Sequence, residues 1–143
     1  MKSLYETDFY AWTQKQAHLL KSKTWEQLDT VNLIEEIESL GRQEQRELRN
    51  RLEVLLAHLL KWQSQPEYRG KSWLATIREQ RGRVNKVLQE NPSLKPYLPE
   101  AITEAYERAI DFAVRETDLD YETFPVDCPY TLEQTLDSKL LPE

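Results

Sequence analysis

The chain has 143 residues, 39% hydrophobic and 31% charged, with a net charge of −6 and only three glycines. That length suits one domain able to bury a core. So few glycines disfavour a turn-rich β fold, and the longest unbroken apolar run, residues 54–57, falls far short of the ~20 residues that span a bilayer.

The lone cysteine, Cys128, cannot form an internal disulfide, and the opening MKSLYETDFY lacks an apolar signal core. A cytoplasmic location is therefore expected. Cys128 has no histidine or basic residue beside it in sequence and reads as an inert thiol.

The first helix is predicted over residues 8–21, with Thr7 or Asp8 as its cap. Phe9, Trp12, Gln16 or Ala17, Leu19 and Leu20 share one broad face. Trp12 is read as a core anchor, with contact to a partner as the alternative. Thr24 followed three residues on by Gln27 is a capping-box pattern.

One helical stripe then runs over about residues 30–63, capped by Asp29 or Thr30. Its seam is Ile34, Ile37, Gly41, Leu48, Leu52, Leu55, Leu59 and Trp62. A polar turn at Glu44 and Gln45 interrupts it, but the apolar arcs on either side differ in phase by only about 50°, so one continuous helix is predicted.

The first turns of this helix collect Glu35, Glu36 and Glu38, which suit the positive end of the helix dipole. Leu33, Ile34, Ile37 and Leu40 form an apolar arc, with Glu36 and Glu38 on its opposite edges. Glu38 has Arg42 four residues on, the favourable order for an ion pair. A solvated, salt-bridged rim is expected, with a metal-ligand set as the alternative. His58, embedded in VLLAHLLKW, is read as a hydrogen-bonded core residue. About 30 Å of continuous helix separates it from Glu38, so a site using both needs a second helix or chain.

Pro66 and Gly70 stop the long helix, and Ser72 is placed to cap the next, whose inner face carries Trp73, Ile77, Val84, Val87 and Leu88. Trp62 and Trp73 flank this hairpin and are expected to pack together or on its loop. Pro92, Pro96 and Pro99 punctuate a linker, with Pro99 opening a further helix that carries Ala101, Ala105, Ala109 and Ala113 at close-packing spacing. Residues 118–143 form an acidic, largely irregular tail with a turn of helix near Leu132–Leu136. Tyr121, Phe124, Tyr130 and Leu132 predict that it docks. The expected architecture is all-α: a single-domain helical bundle, residues 1–143, around one long central helix, with an irregular C-terminal tail.

Charge is unevenly distributed, with net −3 over residues 1–40, +6 over 41–89 and −9 over 90–143. The simplest reading is mutual neutralisation of the basic middle and acidic end; the sharper one is a basic face for an acidic partner. Arg42, Arg46, Arg49, Arg51, Arg78, Arg81 and Arg83 sit on two helices predicted to pair antiparallel. Glu47–Arg51 and Arg49–Glu53 have i,i+4 spacing, and no aromatic stacking platform accompanies the strip. No phosphate-binding loop, dinucleotide fingerprint, paired-cysteine zinc spacing or His-Glu-x-x-His occurs, so no catalytic residue or cofactor is predicted.

Several motifs together resemble the bacterial family known as domain of unknown function twenty-nine. They are Tyr5…Asp8-Phe9-Tyr10-x-Trp12, Asn32-Leu33-x-Glu35-Glu36-Ile37-Glu38-Ser39-Leu40-Gly41, His58-Leu59-Leu60-Lys61-Trp62, Ser72-Trp73-x-x-Thr76-Ile77 and Gln80-Arg81. Pro92-Ser93-Leu94 and Phe124-Pro125-x-x-Cys128-Pro129-Tyr130 complete the set. The resemblance implies a small, cytoplasmic, all-helical protein and brings no activity, cofactor or catalytic residue with it.

The leading expectation is a non-enzymatic helical interaction module that binds itself or another protein, without membrane association. Its candidate contact residues are Trp12, Asn32, Glu35, Glu36, Glu38, Arg42, Arg46, Arg49, Arg78 and Arg81. The alternative is a nucleic-acid-associated regulator using the arginine strip. The third reading is a metal-binding protein using Glu35, Glu38 or His58.

Overall fold

The computed structural model describes residues 2–143, and no strand occurs among them. Six α-helices follow in order: α1 (Leu4–Thr7), α2 (Phe9–Lys21), α3 (Thr30–Ser64), α4 (Lys71–Glu90), α5 (Leu98–Glu116) and α6 (Leu132–Leu136). The architecture is all-α, organised around the long helix that the periodicity predicts. Packing divides the chain into two compact units, Met1–Arg42 and Gln43–Glu143, and α3 contributes to both.

In the second unit, Leu48, Leu52, Leu55, Leu56, Leu59 and Leu60 of α3 share a core with Ile77, Val84 and Leu88 of α4. Ala101, Ala105, Ala109 and Ala113 line the same core from α5, where small side chains permit a short interhelical distance. The predicted breaks hold: Asn91 closes α4 by donating from Nδ2 to the Val87 carbonyl at 3.0 Å, and Pro99 lies in the first turn of α5.

The tail of this unit docks. Phe124 is buried, the Tyr106 hydroxyl donates to the Pro125 carbonyl at 2.6 Å, and the Tyr130 hydroxyl donates to Gln63 at 2.8 Å. A capping box of Thr131 and Gln134 opens α6, supplying two backbone donors of a very short helix with partners.

Two local expectations for this unit are corrected, and a third is met in part. α4 begins at Lys71 with Gly70 before it, so Ser72 lies inside the first turn and caps nothing. Trp62 packs on the hairpin loop as expected, with Arg69 5.0 Å from its ring centre, whereas Trp73 meets the Lys61 ammonium of α3 at 4.9 Å. Arg49 reaches across to the Tyr97 hydroxyl at 2.8 Å and to Glu104 at 3.5 Å, in place of the helical pair with Glu53. The partly buried Tyr97 gives the guanidinium a partner outside water, which an exposed i,i+4 pair does not.

In the first unit, Asp8 caps α2 by accepting from the Ala11 amide at 3.0 Å. α2 ends in paired bonds from Thr24 N to Leu19 O (2.9 Å) and Lys23 N to Leu20 O (3.2 Å), the Schellman arrangement. This holds Lys23 at φ 58°, a left-handed conformation that costs a non-glycine residue about 1 kcal/mol. Thr24 does not form the predicted capping box; its hydroxyl meets that of Ser22 at 2.8 Å. Asp29 caps α3 by accepting from the Asn32 amide at 3.3 Å.

Candidate functional site

The α3 seam, expected to be interrupted only at Glu44 and Gln45, is buried only from Leu48 onward. In the first unit the helix is turned round. Asp29, just before α3, accepts hydrogen bonds from Trp12 Nε1 at 2.9 Å and from Asn32 Nδ2 at 2.8 Å, and its backbone amide donates to Gln16 at 2.9 Å. Farther along, the Tyr5 hydroxyl donates to Glu36. The chain therefore doubles back, with α1 and α2 against the side of α3 that carries Asn32, Leu33, Glu36 and Ser39, all partly buried.

The electrostatics agree with this pairing. Hydrogen bonds from Asn32 and Trp12 hold the Asp29 carboxyl below its ordinary pKa, while donation to Glu36 pushes the Tyr5 phenol up to about 12. Tyr5, Phe9 and Trp12 form an aromatic cluster with ring centres 4.7–5.6 Å apart.

Because the polar side is turned inward, the apolar side is left uncovered. Val31 is 77% exposed, Ile34 56%, Ile37 65% and Leu40 61%. At three-residue steps these side chains form one slanting stripe along the helix, and Gly41 follows directly after its last member. A β-carbon built at Gly41 meets no atom within 4 Å, so nothing in the chain itself requires a glycine there. Glu35 and Arg42, on the side of α3 turned away from Ile37 and Leu40, pair with each other at 2.9 Å, in place of the expected Glu38–Arg42 pair. Glu38 is exposed. Leu4, Phe9, Tyr10, Leu20 and Trp25 of the same unit are exposed too, while its buried residues are Trp12, Gln16 and Leu19.

The remaining candidates lie elsewhere. Arg81 is 2% exposed and donates from its guanidinium to the carbonyls of Thr135 (2.9 Å) and Gln134 (2.8 Å). Arg51 pairs with Glu47 at 2.8 Å and Arg83 with Glu79 at 2.9 Å. Arg46 and Arg78 are exposed. The arginines predicted as a strip thus include one sealed beneath the tail and four already in ion pairs.

His58 is buried, with Nδ1 2.9 Å from the Val54 carbonyl and its ring 5.7 Å from that of Phe112. Burial lowers its pKa. One turn on, the buried Lys61 ammonium lies 4.9 Å from the Trp73 ring centre and 5.9 Å from that of Phe112, so aromatic faces provide much of its solvation. Burial lowers the Lys61 pKa as well, with Glu116 partly restoring it. Glu35, Glu38 and His58 are not brought together; among the described residues, no three His, Cys, Asp or Glu side chains are placed to hold a metal ion. Sequence reasoning missed Lys61 and the Asp29 junction. The usable signals were a charged residue inside a leucine-rich turn and an Asp–x–x–Asn cap following a tryptophan helix.

Among the described residues, no helix is long and apolar enough to cross a membrane. No curated protein and no solved structure matches the chain. A family model, described as Domain of unknown function DUF29, matches residues 4–141, nearly the whole chain. The protein belongs to the DUF29 family.

Proposed function

We propose that the protein is a non-enzymatic interaction module whose docking face is the stripe Val31, Ile34, Ile37 and Leu40. One observation carries this reading: the first unit buries only three side chains among its described residues while leaving that helical row exposed. Covering such side chains stabilises by about 25 cal/mol per Å² of apolar surface, and a continuous exposed patch of this kind marks a contact surface. The row has the three-residue step of a helix-packing face, so the partner is a protein helix. A cytoplasmic setting agrees with the lone, half-buried Cys128. The arginine-strip alternative ranks lower because Arg81 is sealed and Arg49, Arg51 and Arg83 are already paired.

The test is quantitative affinity capture from cell extract with the native protein and with Ile34→Lys/Ile37→Lys. Both sites are exposed, so the variant is expected to fold. Proteins recovered by the native chain and lost with the variant support the docking face. An identical set from both removes it.

A further inference from the structure

We infer that the cleft between α4 and the C-terminal segment is a binding site for a small monocarboxylate with an aliphatic body. The site belongs to the second unit and is independent of the docking face on α3.

One wall is a single helical face. Leu74, Ile77, Arg78 and Arg81 follow at steps of three, one and three residues, which places all four on the same side of α4. Ser138 and Leu141, just beyond α6, form the other wall, and the cleft between them measures about 350 Å³, within the range of small-molecule sites. The second wall is held in place by the hydrogen bonds from Arg81 to the carbonyls of Thr135 and Gln134.

The two ends of the cleft differ in chemistry. Ile77 is its buried floor, and Leu74 and Leu141, each 40% exposed, leave apolar surface in water at one end. The other end is cationic. Arg78 is exposed and belongs to none of the ion pairs among the described residues. Arg81 is buried and spends only Nε and Nη2 on the tail. A guanidinium carries five N–H donors, so its Nη1 is left without a partner among the described residues, an arrangement that costs free energy in a buried cation. No lining residue is acidic. The carboxylate that bears on Arg81, that of Asp137, lies outside the lining and accepts from the Lys139 amide at 2.9 Å.

An anion seated here supplies the missing acceptors, and the planar fork of a guanidinium matches a carboxylate with two parallel hydrogen bonds. From Leu74 to Arg81 the helix advances about 10 Å, comparable to the length of a medium-chain fatty acid. That span is too short for a protein segment to bury the area of a stable complex. A carboxylate at Arg78 and Arg81 lays its aliphatic chain between Leu74 and Leu141, so one ligand covers both the idle donors and the exposed apolar surface.

The experiment is calorimetric titration of the full chain with octanoate below its micelle concentration. Octanol, which lacks the charge, and acetate, which lacks the chain, are titrated in parallel. Octanoate is expected to bind one per chain with Kd below about 1 mM, and each control at least about ten-fold more weakly. Arg78→Gln removes an exposed, unpaired charge, so the variant should keep its circular dichroism spectrum while losing octanoate affinity by about ten-fold. Octanoate should also slow proteolysis of residues 131–143, because it bridges the tail to α4.

Absence of octanoate binding at millimolar concentration overturns the inference. So does octanol binding as tightly as octanoate, an Arg78→Gln chain that binds unchanged, or cleavage of the tail at an unaltered rate. Ile34→Lys/Ile37→Lys should titrate like the native chain; loss of binding there assigns the octanoate to the α3 stripe and overturns the cleft.

Discussion

Arg81→Met should detach the C-terminal segment from α4 and destabilise the second unit. The guanidinium is 2% exposed and makes two charged hydrogen bonds, to Thr135 O and Gln134 O. Burial pulls its pKa down, with Asp137 opposing that shift, but an arginine stays protonated regardless. Each charged bond contributes about 1.5–3 kcal/mol net. Methionine avoids the cost of burying the cation, and the freed carbonyls of α6 can rehydrate as the tail lifts, so the expected loss is about 3 kcal/mol.

At a urea slope of about 2 kcal/mol/M this lowers the unfolding midpoint by about 1.5 M. Limited proteolysis should cut residues 131–143 faster under native conditions. Arg81→Lys should recover at most half, because an ammonium lacks the planar fork that reaches two carbonyls. A midpoint shift below about 0.25 M, with unchanged cleavage, would refute the assignment of Arg81 as the residue that holds the tail.

Three further variants test the packing of α3. Leu55→Ala should cost about 3–5 kcal/mol, because Leu55 is fully buried and truncation leaves a cavity. Ile37→Ala, on the same helix but largely exposed, should change dilute-solution stability by less than about 0.5 kcal/mol; equal losses in urea melts would contradict the turned-round α3. Burial lowers the folded pKa of His58, so its contribution is intact above about pH 6.5 and is lost as pH falls, because the unfolded chain then binds the extra proton. His58→Gln should therefore flatten the decline in urea midpoint between pH 7 and 5; a slope identical to that of the native chain would rule His58 out as its source.

Most of the helical plan was legible in the sequence because its causes are local. Leucines at three- and four-residue steps, Asp8 and Asp29 as caps, and prolines after α3 and α4 act within a few residues of themselves. Arg81 was legible too, had its spacing to Ile77 and Val84 been given more weight than its charge: four and three residues put it on the inner face of α4. Lys61 was marked only by its place in a leucine-rich turn; the aromatic rings that solvate it, Trp73 and Phe112, belong to other helices.

By itself, the amino-acid sequence determined that the chain is helical, where its longer helices lie, and which positions on each of them are apolar. Whether those positions are covered was decided by tertiary structure. Along α3, Leu48 through Leu60 meet α4 and α5, while in the first unit hydrogen bonds to Asp29 and Glu36 draw the opposite side of the helix against α1 and α2. Periodicity records which residues avoid water, but the energy of covering them depends on a neighbour. For Val31, Ile34, Ile37 and Leu40 that neighbour is absent from the fold of the single chain.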